Sequence, residues 1–301
     1  MDRWAELVDD SSYTFENTWQ YFKETVTFTV PTSRSRNVRT SYNESAFDDF
    51  GEPLQVSYPR YAMPFSSWAR QALTAIGVQE IVDFNSGSLM GHQFCTMTIS
   101  PPDETRSSSD TAFLQNPWNL ESLSIYKTTL AKQILFDQVN RAYGVRVRGL
   151  WDFTLTARRE VILSAGAFQS PQLLMLSGIG PAGVLQEHDI KPIVSLPGVG
   201  QNMWDHIFFG PSYRVTVDTF SRLAQNPASL ASELATYLVL RNGILTNPST
   251  DYLAFEKLPS ASRYALTAQE EEILSWFPRD WPDVEVRQQE LSWKNEKVTL
   301  A

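Results

Sequence analysis

The apolar positions of this 301-residue chain change their period along its length, and the changes mark its parts. The first part is helical in texture. Residues 3–8 and 15–25 read as helices, with Phe15, Trp19 and Phe22 on one face and Thr14 placed as an N-cap. The aromatic group Trp4, Tyr13, Phe15, Trp19, Tyr21 and Phe22 reads most simply as core, with the lining of an apolar channel as the other reading. Residues 29–60 are rich in Ser, Arg, Asn and Pro and predict a long surface excursion. A further helix is expected from a Ser66 cap through Trp68, Leu73 and Ile76 to a stop at Gly77. Asp83 to Gly91 and the run PPDETRSSSD read as loops, and Asp110 as the start of a short helix, DTAFL.

From Leu120 the period shortens to two. SLSIY, KQILFD, GVRVRG and WDFTLT predict short strands; Val145 and Val147 alternate with Arg146 and Arg148, as Phe153 and Leu155 do with polar residues. Val161, Ile162 and Leu163 then run without alternation, the pattern of a parallel strand buried on both faces. Burying each is worth about 1.5–3 kcal/mol. The strand is expected to end in Ser164, Ala165 and Gly166, followed by a helix with Ser170 as N-cap and Pro171 as first residue. Leu173, Leu174, Met175 and Leu176 leave that helix no polar face, which predicts burial, and Gly178 is its stop. His188 closes another helix. Beyond His206 the pattern gives a strand near 212–217, a helix near 228–240 and a turn at Asn247-Pro248. The polar residues 285–301 offer few apolar anchors and predict a loosely attached tail.

Composition narrows the function classes. A hydrophobic content of 42% supports a sizeable core in one large or two ordinary domains. The net charge of −9 disfavours a nucleic-acid or anionic-membrane partner. No apolar run approaches the roughly 20 residues of a membrane span, and the first ten residues carry no signal-peptide pattern. The single cysteine, Cys95, permits no internal disulfide.

Candidate chemistry is sparse. Gly178-Ile179-Gly180-Pro181-Ala182-Gly183 matches G-x-G-x-x-G literally but follows an expected helix rather than a strand. Pro181 also removes an N–H from the loop that would have to cradle phosphate. It reads as a helix stop and turn. His92, His188 and His206 lack metal spacing. Asp205 and His206 are adjacent, so in regular structure their side chains point apart, and no G-x-S-x-G elbow accompanies them. A structural role is expected for the pair.

Two stretches carry a resemblance. GAFQSPQLLMLSGIG, residues 166–180, joins small residues, Ser-Pro, an apolar pair and SGIG in fixed spacing; PGVGQNMWDH follows at 197–206. Both resemble signatures of the glucose-methanol-choline (GMC) oxidoreductases, FAD-dependent flavoenzymes. DRWAELV, TFENTWQYFKET, DFNSG and TRSSS extend the resemblance over most of residues 1–284, nearest to fungal members of secondary metabolism. It implies an α/β fold in which a partial, Rossmann-like FAD-binding domain interleaves with a partial substrate-binding α+β domain. Residues 1–210 would hold the N-terminal region, with 1–115 on the substrate side and 116–206 from the FAD-binding domain. Residues 211–284 would begin the substrate-binding part, and 285–301 would be an unmatched tail.

The resemblance further implies that Ala131 sits where a backbone pairs with the adenine of FAD, and that Gly166 lets the cofactor approach; the alternative is that both are small packing residues. It implies oxidation of a CH–OH group on a small aryl, allylic or secondary-metabolite alcohol, with hydride passing to the flavin. The family's phosphate loop and its C-terminal catalytic His have no counterpart here, so no catalytic residue and no metal is assigned. Two other readings stay open: a non-catalytic truncated product, and a binding or cyclising protein on the same scaffold without net oxidation.

Overall fold

The computed structural model describes residues 1–31, 37–48, 51, 53–115, 123–289 and 298–300. The chain divides into two compact units, one of Met1–Glu121 with Phe208–Ala301 and one of Ser122–Ile207.

The first unit opens with α1 (Asp2–Val8) and α2 (Phe15–Lys23). The Thr14 hydroxyl accepts the Asn17 N–H at 3.4 Å, the cap that the sequence predicts, and Asp2 Oδ1 accepts the Phe15 N–H at 2.7 Å. The aromatic group is not core. Trp4 and Tyr21 are 55% and 60% exposed, and Phe22, 51% exposed, shares with Phe15 and Trp19 a face of α2 that looks into an open cleft. β1 (Thr27–Phe28) and β2 (Gln55–Val56) pair in parallel. The expected surface excursion therefore ends indoors: Val56, Ser57 and Tyr58 are buried, and Tyr58 packs with Ala62, Phe94 and Tyr252.

Helix α3 (Pro64–Ala75) begins two residues before Ser66, with Met63 at the N-cap and Pro64 at N1. Ser66 is instead buried inside the first turn, where its hydroxyl donates to Asp251. The Asp83 carboxylate accepts the N–H groups of Asn85 and Ser86 at 2.6 and 2.7 Å, which shapes the loop before β3 (Gly91–Phe94). The second predicted loop is a tight hairpin of β4 (Ile99–Ser100) and β5 (Thr105–Arg106), followed by one turn of π-helix at Asp110–Leu114.

In the second unit β6 (Leu130–Phe136), β7 (Ala142–Arg148) and β8 (Asp152–Thr156) form the antiparallel ribbon that the alternation predicts. SLSIY adds no strand: residues 123–126 are irregular, and Ser122 lies outside the described residues. Val161–Leu163 is a larger departure. It is not a strand, and Ile162 is 78% exposed. A strand buried on both faces exists only between neighbouring strands and covering layers, and none of the described elements pairs with these residues.

α4 (Gly166–Leu176) starts five residues earlier than its Ser-Pro pair suggests. Ser170 lies within it and caps from inside, its Oγ accepting the Ala165 N–H at 3.1 Å. Pro171 follows in the helix interior. The helix is only partly buried: Leu173 is enclosed, while Leu176 is 45% and Phe168 70% exposed. At its end the Ser177 hydroxyl donates to the Leu173 carbonyl at 2.6 Å and accepts the Ile134 N–H at 2.8 Å, which clamps α4 to β6. β9 (Ile179–Gly180), α5 (Ala182–Glu187) and β10 (Val194–Ser195) complete the unit, with His188 closing α5 as expected and β9 parallel to β10.

The chain then returns to the first unit. β11 (Ser212–Tyr213) is shorter than predicted; α6 (Phe220–Gln225) and α7 (Pro227–Leu240) follow, the latter capped by Asn226. After β12 (Tyr252–Glu256), α8 (Ser260–Arg263) and α9 (Ala268–Ser275) come β13 (Val284–Gln289) and β14 (Val298–Leu300). The five-stranded sheet runs β11-β14-β13-β12-β3. The expectation of a loose tail is thus wrong for 285–289 and 298–300. Half-buried Val284 and Val286 alternate with exposed Glu285 and Arg287, and the strand pairs along β12 with Val286 opposite Ala254. Asp283 anchors its start, accepting from Lys257 Nζ at 3.0 Å, Arg263 at 2.9 Å and the Leu258 N–H at 3.1 Å.

Candidate functional site

Both positions implied to meet a cofactor, Ala131 and Gly166, lie in the second unit. Ala131 is exposed on β6, which pairs only with β7 among the described strands. The register there shifts: Ala131 faces Val147, whereas Gln133 faces Arg146, so Lys132 is the extra residue of a bulge. Lys132 Nζ lies 3.3 Å from Asp152, which Arg148 also grips at 2.6 and 3.0 Å. The Arg148 hydrogen bonds hold the Asp152 carboxyl down at about 2. Among the described residues, these charges frame the exposed backbone around Ala131.

Gly166 opens α4 with φ +86°, a left-handed conformation that L side chains resist. A Cβ built there meets only Gln169 Oε1, at 3.9 Å. Crowding does not demand glycine at this position; backbone conformation does. The first turn of α4 contains no acidic residue, so its partial positive charge is uncompensated from within the helix. Both positions therefore suit a group recognised through main-chain atoms: one is an exposed strand position, the other a side-chain-free helix start with open space beside it. FAD fits that description at each.

The remaining candidates show no catalytic or metal-binding arrangement among the described residues. Residues 178–183 follow α4 as predicted. The Gly178 carbonyl accepts the Ile193 N–H at 2.7 Å and the Gly180 carbonyl the Leu196 N–H at 3.0 Å. The segment runs from the α4 stop through β9, paired with β10, into α5, and is not an open phosphate cradle. Asp205 and His206 are exposed, and the Asp205 carboxylate accepts the His206 backbone N–H at 2.8 Å rather than the ring. Among the described residues no cluster of His, Cys, Asp and Glu has metal-ligand geometry.

Two features of the first unit add to these, and the sequence had offered the first as its alternative reading of the aromatic group. One is the cleft of about 420 Å³ walled by Phe15, Trp19, Phe22, Phe47, Phe84 and Met97. The other is a buried polar layer. Asp251, fully enclosed, accepts from Asn247 Nδ2 at 2.9 Å, the Met63 N–H at 3.3 Å and the Ser66 hydroxyl, and His92 meets Tyr252 beside it. Its members lie as much as 188 residues apart, so no local pattern announces them.

Comparison with known proteins gives these positions a context. A family model for GMC oxidoreductases matches residues 1–208. The chain belongs to the GMC oxidoreductase family. Curated relatives at about 40% identity are fungal, as the resemblance implied. Dehydrogenase pkfF of Emericella nidulans is 42% identical over 287 residues, covering 94% of this chain and 46% of that protein. Patulin synthase of Penicillium expansum is also 42% identical over 287 residues, with 94% and 45% covered. The chain therefore spans about half the length of the curated relatives it matches. An FAD-dependent oxidoreductase from Chaetomium thermophilum shares the fold with a TM-score of 0.83 at 24% identity, over 99% of this chain and 57% of that one. The mixed helix and strand architecture is thus that of a partial FAD-binding fold of this family.

Proposed function

We propose that this chain is part of an FAD-dependent GMC oxidoreductase acting on the CH–OH group of a small aryl, allylic or secondary-metabolite alcohol. Its kinship with pkfF, across nearly the whole chain, carries the reading. FAD, when bound, supplies the acceptor for the hydride leaving the alcohol carbon. The residues here bind and orient: the Ala131 backbone offers amide and carbonyl groups to the adenine, and Gly166 gives the cofactor room at the start of α4. The bulge at Lys132 and the Lys132–Asp152–Arg148 cluster hold β6 in the register that presents Ala131. No residue of this chain is assigned the proton-accepting role, which in the family belongs to a His in the C-terminal part.

A chain with these two contacts and no phosphate loop retains little FAD by itself, because helix-start N–H groups on the pyrophosphate supply much of dinucleotide affinity. The test is the visible spectrum of the purified chain beside that of a chimera in which this chain replaces the matched part of patulin synthase. Flavin near one equivalent in the chimera and little in the chain supports the reading; a chimera that folds without flavin overturns it. Relatives named as synthases favour a second reading, ring closure on the same scaffold without net oxidation. It predicts a flavin that binds yet stays oxidised when the substrate is turned over.

A further inference from the structure

His92 is fully buried, whereas His188 and His206 are exposed. It stands in β3 opposite Ala254 of β12. Its Nε2 lies 3.2 Å from the Val78 carbonyl and 3.3 Å from Thr74 Oγ1. The carbonyl can only accept, so Nε2 carries the proton, and Nδ1, 2.5 Å from the Tyr252 hydroxyl, accepts from it. Thr74 Oγ1 spends its own proton on the Arg70 carbonyl at 2.9 Å, leaving its oxygen toward the ring. The main chain of His92 binds the same segment: its N–H donates to the Gln79 carbonyl at 2.9 Å and its carbonyl accepts the Ile81 N–H at 3.2 Å. One residue thus joins the end of α3, the segment 78–81 and β12.

Every hydrogen-bond partner of the ring is neutral. The charged groups facing it are Arg70 of α3, Glu80 of the 78–81 segment and Glu256 of β12. Arg70 and Glu80 are occupied with each other, Arg70 Nε lying 3.1 Å from Glu80 Oε2. A second ring proton would point at a hydroxyl that is now donating, on a residue that is fully buried.

We propose that His92 is an acid-sensitive latch: neutral, it pins the end of α3 and residues 78–81 to the sheet, and protonated, it lets them go. Burial pushes the ring's pKa below 6.5; Glu80 and the Val78 carbonyl counter this, Arg70 adds to it, and Glu256 counters it. The sign follows. The folded state resists the proton, so stability is complete above 6.5 and falls as pH drops from 6.5 toward the folded pKa, with one proton taken up on opening. Each unit by which the folded pKa lies below 6.5 is about a tenfold loss of protection.

The test follows the three histidine ring signals of the whole chain by NMR from about pH 8 to about pH 5, with protection factors for the His92 and Ile81 amides at each pH. His188 and His206 serve as exposed internal references. The latch requires His92 to stay neutral while they titrate. It also requires protection of both amides to fall together, and reversibly, from about 6.5 down to the pH at which His92 itself charges. Two variants extend the test. His92→Gln keeps a donor and an acceptor but cannot titrate, so its protection should not vary with pH. Glu80→Gln removes a charge that favours the protonated ring and so lowers the folded pKa further; its loss of protection at acid pH should be deeper. Protonation of His92 alongside the exposed histidines, protection that survives protonation, or unchanged pH dependence in either folded variant would overturn the proposal.

Discussion

Replacing Gly166 separates the two reasons a glycine can stand there. The sequence suggests the end of a buried strand, where a branched residue would suit the backbone and only crowding would forbid it. The structure reverses both points: φ is +86°, and the nearest non-local atom to an added Cβ is 3.9 Å away. Gly166→Ala should therefore cost the left-handed term alone, about 1–2 kcal/mol, with no steric addition. In a unit of this size 1 kcal/mol shifts the melting point by about 4–8 °C. Gly166→Val should cost more, through its β-branch, and Gly166→Asn less, because Asn tolerates this region. Thermal and urea unfolding of the four proteins checks the order Gly, Asn, Ala, Val; an Ala variant as stable as the parent refutes the conformational argument. Gly166→Asn then tests the cofactor. In the patulin synthase chimera it should fold yet lose flavin, since a side chain now occupies the approach. Full flavin occupancy would remove Gly166 from the site.

Three further outcomes are expected. Arg148→Ala should let the Asp152 pKa rise from about 2 toward 3.8, read by carboxyl NMR. Because the folded value is the lower one, the pair's stabilisation is present above 3.8 and fades as pH falls through about 2; an unmoved Asp152 would show that Arg148 is not its cause. Asp251→Ala should destabilise the first unit by roughly 3–5 kcal/mol, because it strands buried donors on Met63, Ser66 and Asn247, whereas a surface-like effect in denaturant melts would contradict the buried layer. Asp283→Ala should raise amide exchange across Val284–Arg287 by freeing the start of β13, and equal protection in both proteins would count against the anchor.

What could be read without the structure follows from locality. Thr14, Gly178, His188 and the Val145–Val147 alternation report on neighbours a few residues away, and each element stands where its pattern puts it. Val161–Leu163 was misread because the identity of a two-sided strand depends on neighbours that the described chain does not bring to it. β13 was missed because six residues with only Val284 and Val286 as anchors look polar in bulk, although their spacing fits a half-buried strand. The start of α4 was displaced because Ser170 caps backward, onto Ala165, rather than forward. His92–Tyr252 and Ser66–Asp251 join residues 160 and 185 apart, beyond any periodicity. At the candidate site, Ala131 came from family resemblance alone, and the bulge at Lys132 had no sequence signal.

The most direct measurement is anaerobic mixing of the flavin-loaded chimera with small aryl and allylic alcohols while the flavin's visible band is followed. The account predicts that at least one of these alcohols bleaches the band and that the corresponding carbonyl product appears in an amount equal to the flavin reduced. A bound flavin that dithionite reduces but none of the alcohols bleaches would contradict it.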